Sequence, residues 1–127
     1  MNSSLAGCRV LVVEDEMMVA WALEDMLLDW SCTVVGPAGR VDKALTMLDA
    51  EVIEMALLDV SLDGVKSYPV ADALAVRGKP FVLLTGYGRE SLPSRYQACP
   101  MLQKPFTVSE LGNALVALLT SKSRAPA

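Results

Sequence analysis

The sequence predicts an α/β domain built on a parallel sheet covered by helices on both faces. Short, β-branched apolar runs alternate with segments of helical spacing along the chain, the pattern of strands joined by crossover helices. The runs are apolar almost throughout, as strands buried on both faces must be. Most of them stop at a charged or hydroxyl residue.

Arg9 to Val13 is the first strand, β-branched and nearly continuous in apolar residues. Glu16 to Trp30 is the first helix, with Val19, Ala22, Leu23, Met26, Leu27 and Trp30 on one broad side and Glu24, Asp25 and Asp29 on the other. Cys32 to Val35 is a second strand, which Gly36-Pro37 is expected to close. Val41 to Ala50 is a helix with Ala44, Leu45 and Leu48 inward, and Met55 to Leu58 is the third strand. A long, turn-rich connection follows Asp59, sharpest at Asp63-Gly64. Pro69 fits the first turn of the next helix, where a missing N–H costs nothing, and that helix runs to about Arg77. Pro80 to Leu84 is the fourth strand and Met101 to Gln103 a short fifth. Between them, Pro93 breaks any helix over Arg89 to Gln97. Val108 to Thr120 is the last helix, capped by Thr107 or Ser109. Residues 121 to 127 are expected to fray. One domain fits all 127 residues, with a core from about 8 to 120 and short flexible ends.

Composition narrows the function. The chain is 53% hydrophobic with a net charge of −4 and a pI near 4.7. It therefore lacks a basic footprint for nucleic acid. No apolar run is long enough to span a membrane, and the first seven residues do not form a signal peptide. Cys8, Cys32 and Cys99 lack metal-ligand spacing and fit a small apolar role in a reducing compartment. A cytoplasmic domain is expected. With no histidine in the chain, chemistry must come from carboxylates, hydroxyls, thiols, lysine or backbone.

Parallel α/β sheets bind ligands beyond the C-terminal ends of their strands. There the strands end in Glu14-Asp15, in Asp59, in Thr85 followed by Gly86, and in Lys104 followed by Pro105. With the first, third and fourth strands side by side and the fifth next to the fourth, these groups converge. At about 4 Å and an effective dielectric near 20, each carboxylate pair costs roughly 4 kcal/mol. One lysine offsets only part of that. A divalent cation is the remedy, and all-oxygen ligands with room for water and a phosphate suit Mg²⁺. A carboxylate nucleophile, a metal, a lysine and an approachable amide at Gly86 are the parts that phosphoryl transfer needs.

The segments "LVVEDE", "LLDVSLDG", "LLTGYG" and "LQKPF" resemble the response-regulator receiver domain of two-component signalling, in order and spacing, from Cys8 to about Thr120. "LLTGYG" with "LQKPF" also resembles its FAT GUY subclass of small, single-domain receivers. The resemblance implies a flavodoxin-like (βα)5 fold, a doubly wound sandwich with strand order 2-1-3-4-5. It implies that Asp59 accepts a phosphoryl group and that Asp15 binds Mg²⁺ directly and Glu14 through water. The Ser61 carbonyl would complete the metal site, Thr85 and Lys104 would hold phosphoryl oxygens, and Lys104–Pro105 would be cis. The implied donor is a histidine kinase or histidine phosphotransfer protein. Output would pass to a downstream protein target, or the chain would serve as a phosphate sink, stand-alone and as a monomer or weak dimer.

Two positions depart from the family pattern. Met101 stands where many receivers carry an aromatic switch residue, and Asp63 where many carry proline. Switching would then rest on Thr85 and Tyr87 rather than on ring rotation at Met101. Two other readings compete. A phosphatase of the haloacid dehalogenase type needs a second aspartate two places after the nucleophile, where this chain has Ser61. A receiver-like module that is never phosphorylated would not need the acidic set. Gly64 to Ser67 echoes a phosphate-binding loop but lacks the earlier glycine.

Overall fold

The computed structural model describes residues 3 to 123, and side chains from 4 to 120. Among the described residues, seven strands and four helices follow in order. They are β1 (Arg9–Val13), α1 (Met17–Asp29), β2 (Thr33–Ala38), α2 (Val41–Ala50), β3 (Met55–Asp59), β4 (Ser61–Leu62), β5 (Val65–Lys66), α3 (Tyr68–Val76), β6 (Phe81–Thr85), β7 (Met101–Gln103) and α4 (Val108–Ser123). The main sheet is parallel with order β2-β1-β3-β6-β7. That is the expected 2-1-3-4-5, once the small β4-β5 hairpin is set aside. It is the receiver-type, flavodoxin-like α/β fold.

The period of two along each strand divides the core. Val10, Val12, Met55, Leu57, Val82 and Leu84 face one side, where Leu23 and Leu27 of α1 and Leu111, Leu115 and Leu118 of α4 cover them. Leu11, Val13, Ala56, Leu58 and Leu83 face the other, under Ala44 and Leu48 of α2 and Val70, Ala71 and Leu74 of α3. Every residue of β3 and β6 is buried, and each fully buried leucine contributes about 1.5–3 kcal/mol. The helix after Thr107 is closed by a reciprocal capping box. Glu110 N–H donates to Thr107 Oγ1 at 3.0 Å and Thr107 N–H to Glu110 Oε1 at 2.8 Å. Thr107, not Ser109, is the cap.

Four local expectations change. Gly36-Pro37 does not close β2 but lies inside it as a cis bond, at a register shift opposite Leu11 and Val13. An edge strand tolerates proline, and a Cβ at Gly36 would lie 2.9 Å from the Val12 carbonyl. The turn-rich stretch after Asp59 contains a hairpin. Asp63 and Gly64, both at positive φ (51° and 84°), make its two-residue turn. The core begins before residue 8, because Ser3–Leu5 forms a 3-10 turn and Leu5 is fully buried. The last helix continues to Ser123, and the fraying expected of residues 124 to 127 lies outside the described residues. The segment over Arg89 to Gln97 is broken as expected, into 3-10 turns at Arg89–Ser91 and Ser94–Tyr96 on either side of Pro93. Cys8 and Cys32 are buried as read, while Cys99 is partly exposed. Burial, and after it the neighbouring Cys8, pushes the Cys32 thiol up to about 11, so it stays protonated and unreactive.

Candidate phosphoryl-acceptor site

The sheet's C-terminal edge carries the site. Glu14 leaves β1 with its amide tied to the Ala38 carbonyl at 2.9 Å, so the continuation of β2 through Gly36-Pro37 positions it. Its Oε2 accepts from Glu16 N–H at 3.2 Å. Asp59 ends β3 and pairs in register with Leu84 of β6. Lys104, just beyond β7, points back across the edge. Its Nζ lies 3.1 Å from Glu14 Oε1 and 3.0 Å from Asp59 Oδ2. The Lys104–Pro105 bond is cis, and Lys104 N–H donates to the Thr85 carbonyl at 2.7 Å.

Glu14, Asp59 and Thr85 are buried, whereas Asp15 is exposed. One ligand oxygen from each of Glu14, Asp15 and Asp59 lies within 4.8 Å of the others. The electrostatics show the crowding. Burial first, then the hydrogen bond and charge of Asp59, push the Glu14 carboxyl up to about 7. Burial acts against the Lys104 ammonium, but its bonds to Asp59 and Glu14 outweigh that and raise its pKa. Three hard oxygen donors, one of them open to solvent, with a single cation between two of them, fit a divalent metal ion.

The other expected residues divide. Ser61 opens β4, and its N–H donates to Asp59 Oδ1 at 3.2 Å. Thr85 ends β6 beside Asp59, and its hydroxyl accepts from Tyr87 N–H at 3.0 Å. Gly86 has open space where a Cβ would stand, which leaves room for a ligand at the amide. The Tyr87 side chain is 71% exposed. Met101 is half-buried and packs with the α2–α3 side of the core, in line with a packing role. Ser67 was missed. It is fully buried, and its Oγ donates to the Asp59 carbonyl at 2.6 Å. Its serine stands in the phosphate-loop echo, and nothing in the spacing ties it to Asp59.

The chain is similar along nearly its whole length to SdrG of Sphingomonas melonis Fr1. That solution structure is 44% identical, with a TM-score of 0.80, over 94% of this chain and 99% of SdrG. The chain belongs to the response-regulator receiver family. A BeF3-activated conformation of SdrG is 46% identical over 90% of this chain and 98% of that one, with a TM-score of 0.78. The response regulator PhyR of Brucella abortus is 27% identical, with a TM-score of 0.79 over 94% of this chain and 51% of PhyR. The transcriptional regulatory protein PdtaR of Mycobacterium tuberculosis is 29% identical over 109 residues, 81% of this chain and 52% of PdtaR. The chain thus spans about half the length of the curated relatives it matches. No family model matches it. As a receiver it is a phospho-acceptor in signalling, and its acidic cluster of Glu14, Asp15 and Asp59 could hold a divalent metal ion. Among the described residues no helix is long and apolar enough to cross a membrane.

Proposed function

We propose that Asp59 is the phospho-acceptor, that Mg²⁺ is the metal, and that the donor is the phosphohistidine of a histidine kinase or histidine phosphotransfer protein. The observation that carries this reading is the convergence on Asp59 of Lys104 Nζ at 3.0 Å and the Ser61 amide at 3.2 Å, one on each carboxylate oxygen. Both contacts orient the carboxylate. In transfer, an Asp59 oxygen attacks phosphorus in line, the bond from phosphorus to the donor nitrogen breaks, and the electron pair leaves with the imidazole. Lys104, already held at the edge by Glu14 and Asp59, pairs with an equatorial phosphoryl oxygen. The Thr85 hydroxyl donates to another while still accepting from Tyr87 N–H, which a hydroxyl can do at once. The Gly86 amide has an open approach. Asp15, Glu14, Asp59 and the Ser61 carbonyl would hold Mg²⁺. When bound, the ion neutralises charge developing on the transferred group.

Signalling would follow by protein contacts with a downstream target, or by draining phosphoryl groups from the donor. A cytoplasmic protein, monomeric or weakly dimeric, suits either role. Intact mass after incubation with acetyl phosphate and Mg²⁺ tests the reading. One phosphoryl group should be gained, and none in the absence of Mg²⁺. A chain that gains none under either condition would refute it.

A further inference from the structure

Two peptide groups separate Asp59 from Ser61, and Ser67 holds both. Its Oγ donates at 2.6 Å to the Asp59 carbonyl, which belongs to the Asp59–Val60 peptide. Its N–H donates at 2.9 Å to the Val60 carbonyl, which belongs to the Val60–Ser61 peptide. A peptide group is planar, so fixing that carbonyl also aims the N–H at the other end of the plane. That N–H is the Ser61 amide, which donates to Asp59 Oδ1 at 3.2 Å. The intervening Val60 N–H is held by the Leu84 carbonyl of β6 at 2.9 Å. Ser67 thereby sets the direction of the donor that orients the Asp59 carboxylate, and the course of the chain that carries the Ser61 carbonyl.

Ser67 is itself firmly held. It is fully buried and stands at the N-cap of α3. Its carbonyl accepts from Val70 N–H at 2.9 Å and Ala71 N–H at 3.4 Å. A serine in that place ordinarily turns its hydroxyl onto the free N–H groups of the helix. Here the hydroxyl makes no cap bond to α3 and goes to Asp59 instead. The helix behind it is anchored, because Val70, Ala71 and Leu74 are fully buried. The hairpin before it is not, because residues 63 to 66 are exposed and each of its strands is two residues long. The fixed point for Ser61 is therefore Ser67 rather than the hairpin.

We propose that Ser67 is a positioning residue for phosphoryl transfer, one that orients the Asp59 carboxylate and the Ser61 carbonyl from the start of α3. This rests on Asp59 being the phospho-acceptor. The test compares wild type, Ser67→Ala, Ser67→Cys and Leu48→Ala under conditions where urea unfolding shows each to be folded. Leu48 is the control for stability alone, in the last turn of α2, at the end of the fold where Arg9 begins β1 and pairs with Glu51. Three quantities are read: the rate of phosphoryl gain from acetyl phosphate at saturating Mg²⁺, the Mg²⁺ affinity, and the Ser61 amide resonance without metal. Ser67→Ala should lower both the rate and the Mg²⁺ affinity by about tenfold, as loss of a partner behind a metal ligand does. The Ser61 resonance should move as well. Ser67→Cys, whose thiol donates weakly, should fall between Ser67→Ala and wild type. Leu48→Ala should lower the urea midpoint and leave all three quantities unchanged. Wild-type rate and Mg²⁺ affinity in folded Ser67→Ala would overturn the role, and so would equal slowing in Leu48→Ala, which would mark lost stability alone. If Ser67→Ala does not fold, Ser67→Cys decides, and a wild-type rate in it overturns the role. A wild-type chain that gains no phosphoryl group would overturn the acceptor reading itself, and this inference with it.

Discussion

The Ser67 hydroxyl donates a 2.6 Å hydrogen bond to the main-chain carbonyl of Asp59, with Ser67 fully buried. The bond ties the far end of the hairpin to the proposed phospho-acceptor. Removing the hydroxyl leaves a buried carbonyl short of a partner. Ser67→Ala should therefore lose about 1–3 kcal/mol of stability, read as a lower urea midpoint at unchanged slope. Equal midpoints would mean that the bond contributes nothing to the fold.

Asp59→Asn should abolish the phosphoryl gain from acetyl phosphate. An asparagine keeps the shape but loses the nucleophilic carboxylate. Lys104→Ala should instead permit binding of Mg²⁺ while slowing phosphorylation, because it removes the cation on the transferred group and leaves the carboxylates. Intact mass against time separates the two. A phosphoryl gain in Asp59→Asn equal to wild type would reassign the acceptor.

Much of this was legible in the sequence. Strands buried on both faces show as unbroken apolar runs, so β1, β3 and β6 could be placed, and with them Glu14, Asp59 and Thr85 at their ends. Lys104 could be placed because the proline after it marks the end of a short strand. What stayed hidden depends on contacts between distant segments. The β2 strand passes through Gly36-Pro37 because Ala38 receives the Glu14 amide, a tertiary bond that overrides the local breaker signal. Ser67 looked like loop because its partner is a backbone atom on another strand. Leu5 looked like part of a loose end because it is an isolated apolar residue, and it is buried because it joins the cluster that Leu23, Leu27 and Leu118 also enter.

Glu14 sets a pH dependence. Its carboxyl is raised from 4.5 to about 7, first by burial and then by Asp59. Between those values the folded chain keeps a proton that the unfolded chain has lost. Stability from this group is present at low pH and is lost as pH rises towards 7, by at most about 3 kcal/mol. Mg²⁺ should offset the loss, because it favours the ionised form. Urea unfolding at about pH 5 and about pH 7.5, with Mg²⁺ and with chelator, checks the sign. Relative to Glu14→Gln, the metal-free wild type should be weaker at the higher pH. Mg²⁺ should stabilise wild type more there. A wild-type chain that gains stability over Glu14→Gln as pH rises would contradict the assignment.

Tyr96 is a second stability test. Its ring stacks on Tyr68 at 5.5 Å, meets Phe81 edge-on at 6.3 Å and lies under the Arg95 guanidinium at 4.6 Å. Its hydroxyl is sealed from solvent and has no hydrogen-bond partner among the described residues. An unsatisfied buried hydroxyl is costly, and the ring contacts do not need it. Tyr96→Phe should therefore raise stability by about 1 kcal/mol, whereas Tyr96→Ala should lose about 3–5 kcal/mol by opening a cavity. A Tyr96→Phe variant less stable than wild type would show that the hydroxyl is satisfied in solution.

The switch should run through the backbone after Thr85. Met101 is half-buried against the core and has no ring to rotate. The Thr85 hydroxyl, however, already accepts the Tyr87 amide at 3.0 Å. Drawing that hydroxyl towards a phosphoryl oxygen pulls Tyr87 with it. Gly86 meets nothing within 4 Å where a Cβ would be, and the Tyr87 side chain is exposed, so neither resists. Further along the segment is anchored, more firmly than its proline-broken sequence suggests. Leu92 and Tyr96 are buried, and Arg89 bonds the carbonyls of Gln97 and Cys99 at 2.6 and 2.7 Å. Movement should therefore concentrate at residues 86 to 91 and settle against this anchor. The expected change is one of order rather than a side-chain flip. Hydrogen exchange with and without beryllofluoride should show greater protection of residues 86 to 97 in the bound state, largest at Tyr87 and Gly88. Arg89→Ala should blunt that gain without abolishing beryllofluoride binding, since Arg89 touches the segment and not the site. Equal protection of residues 86 to 97 in both states would refute this mechanism even with Asp59 fully occupied.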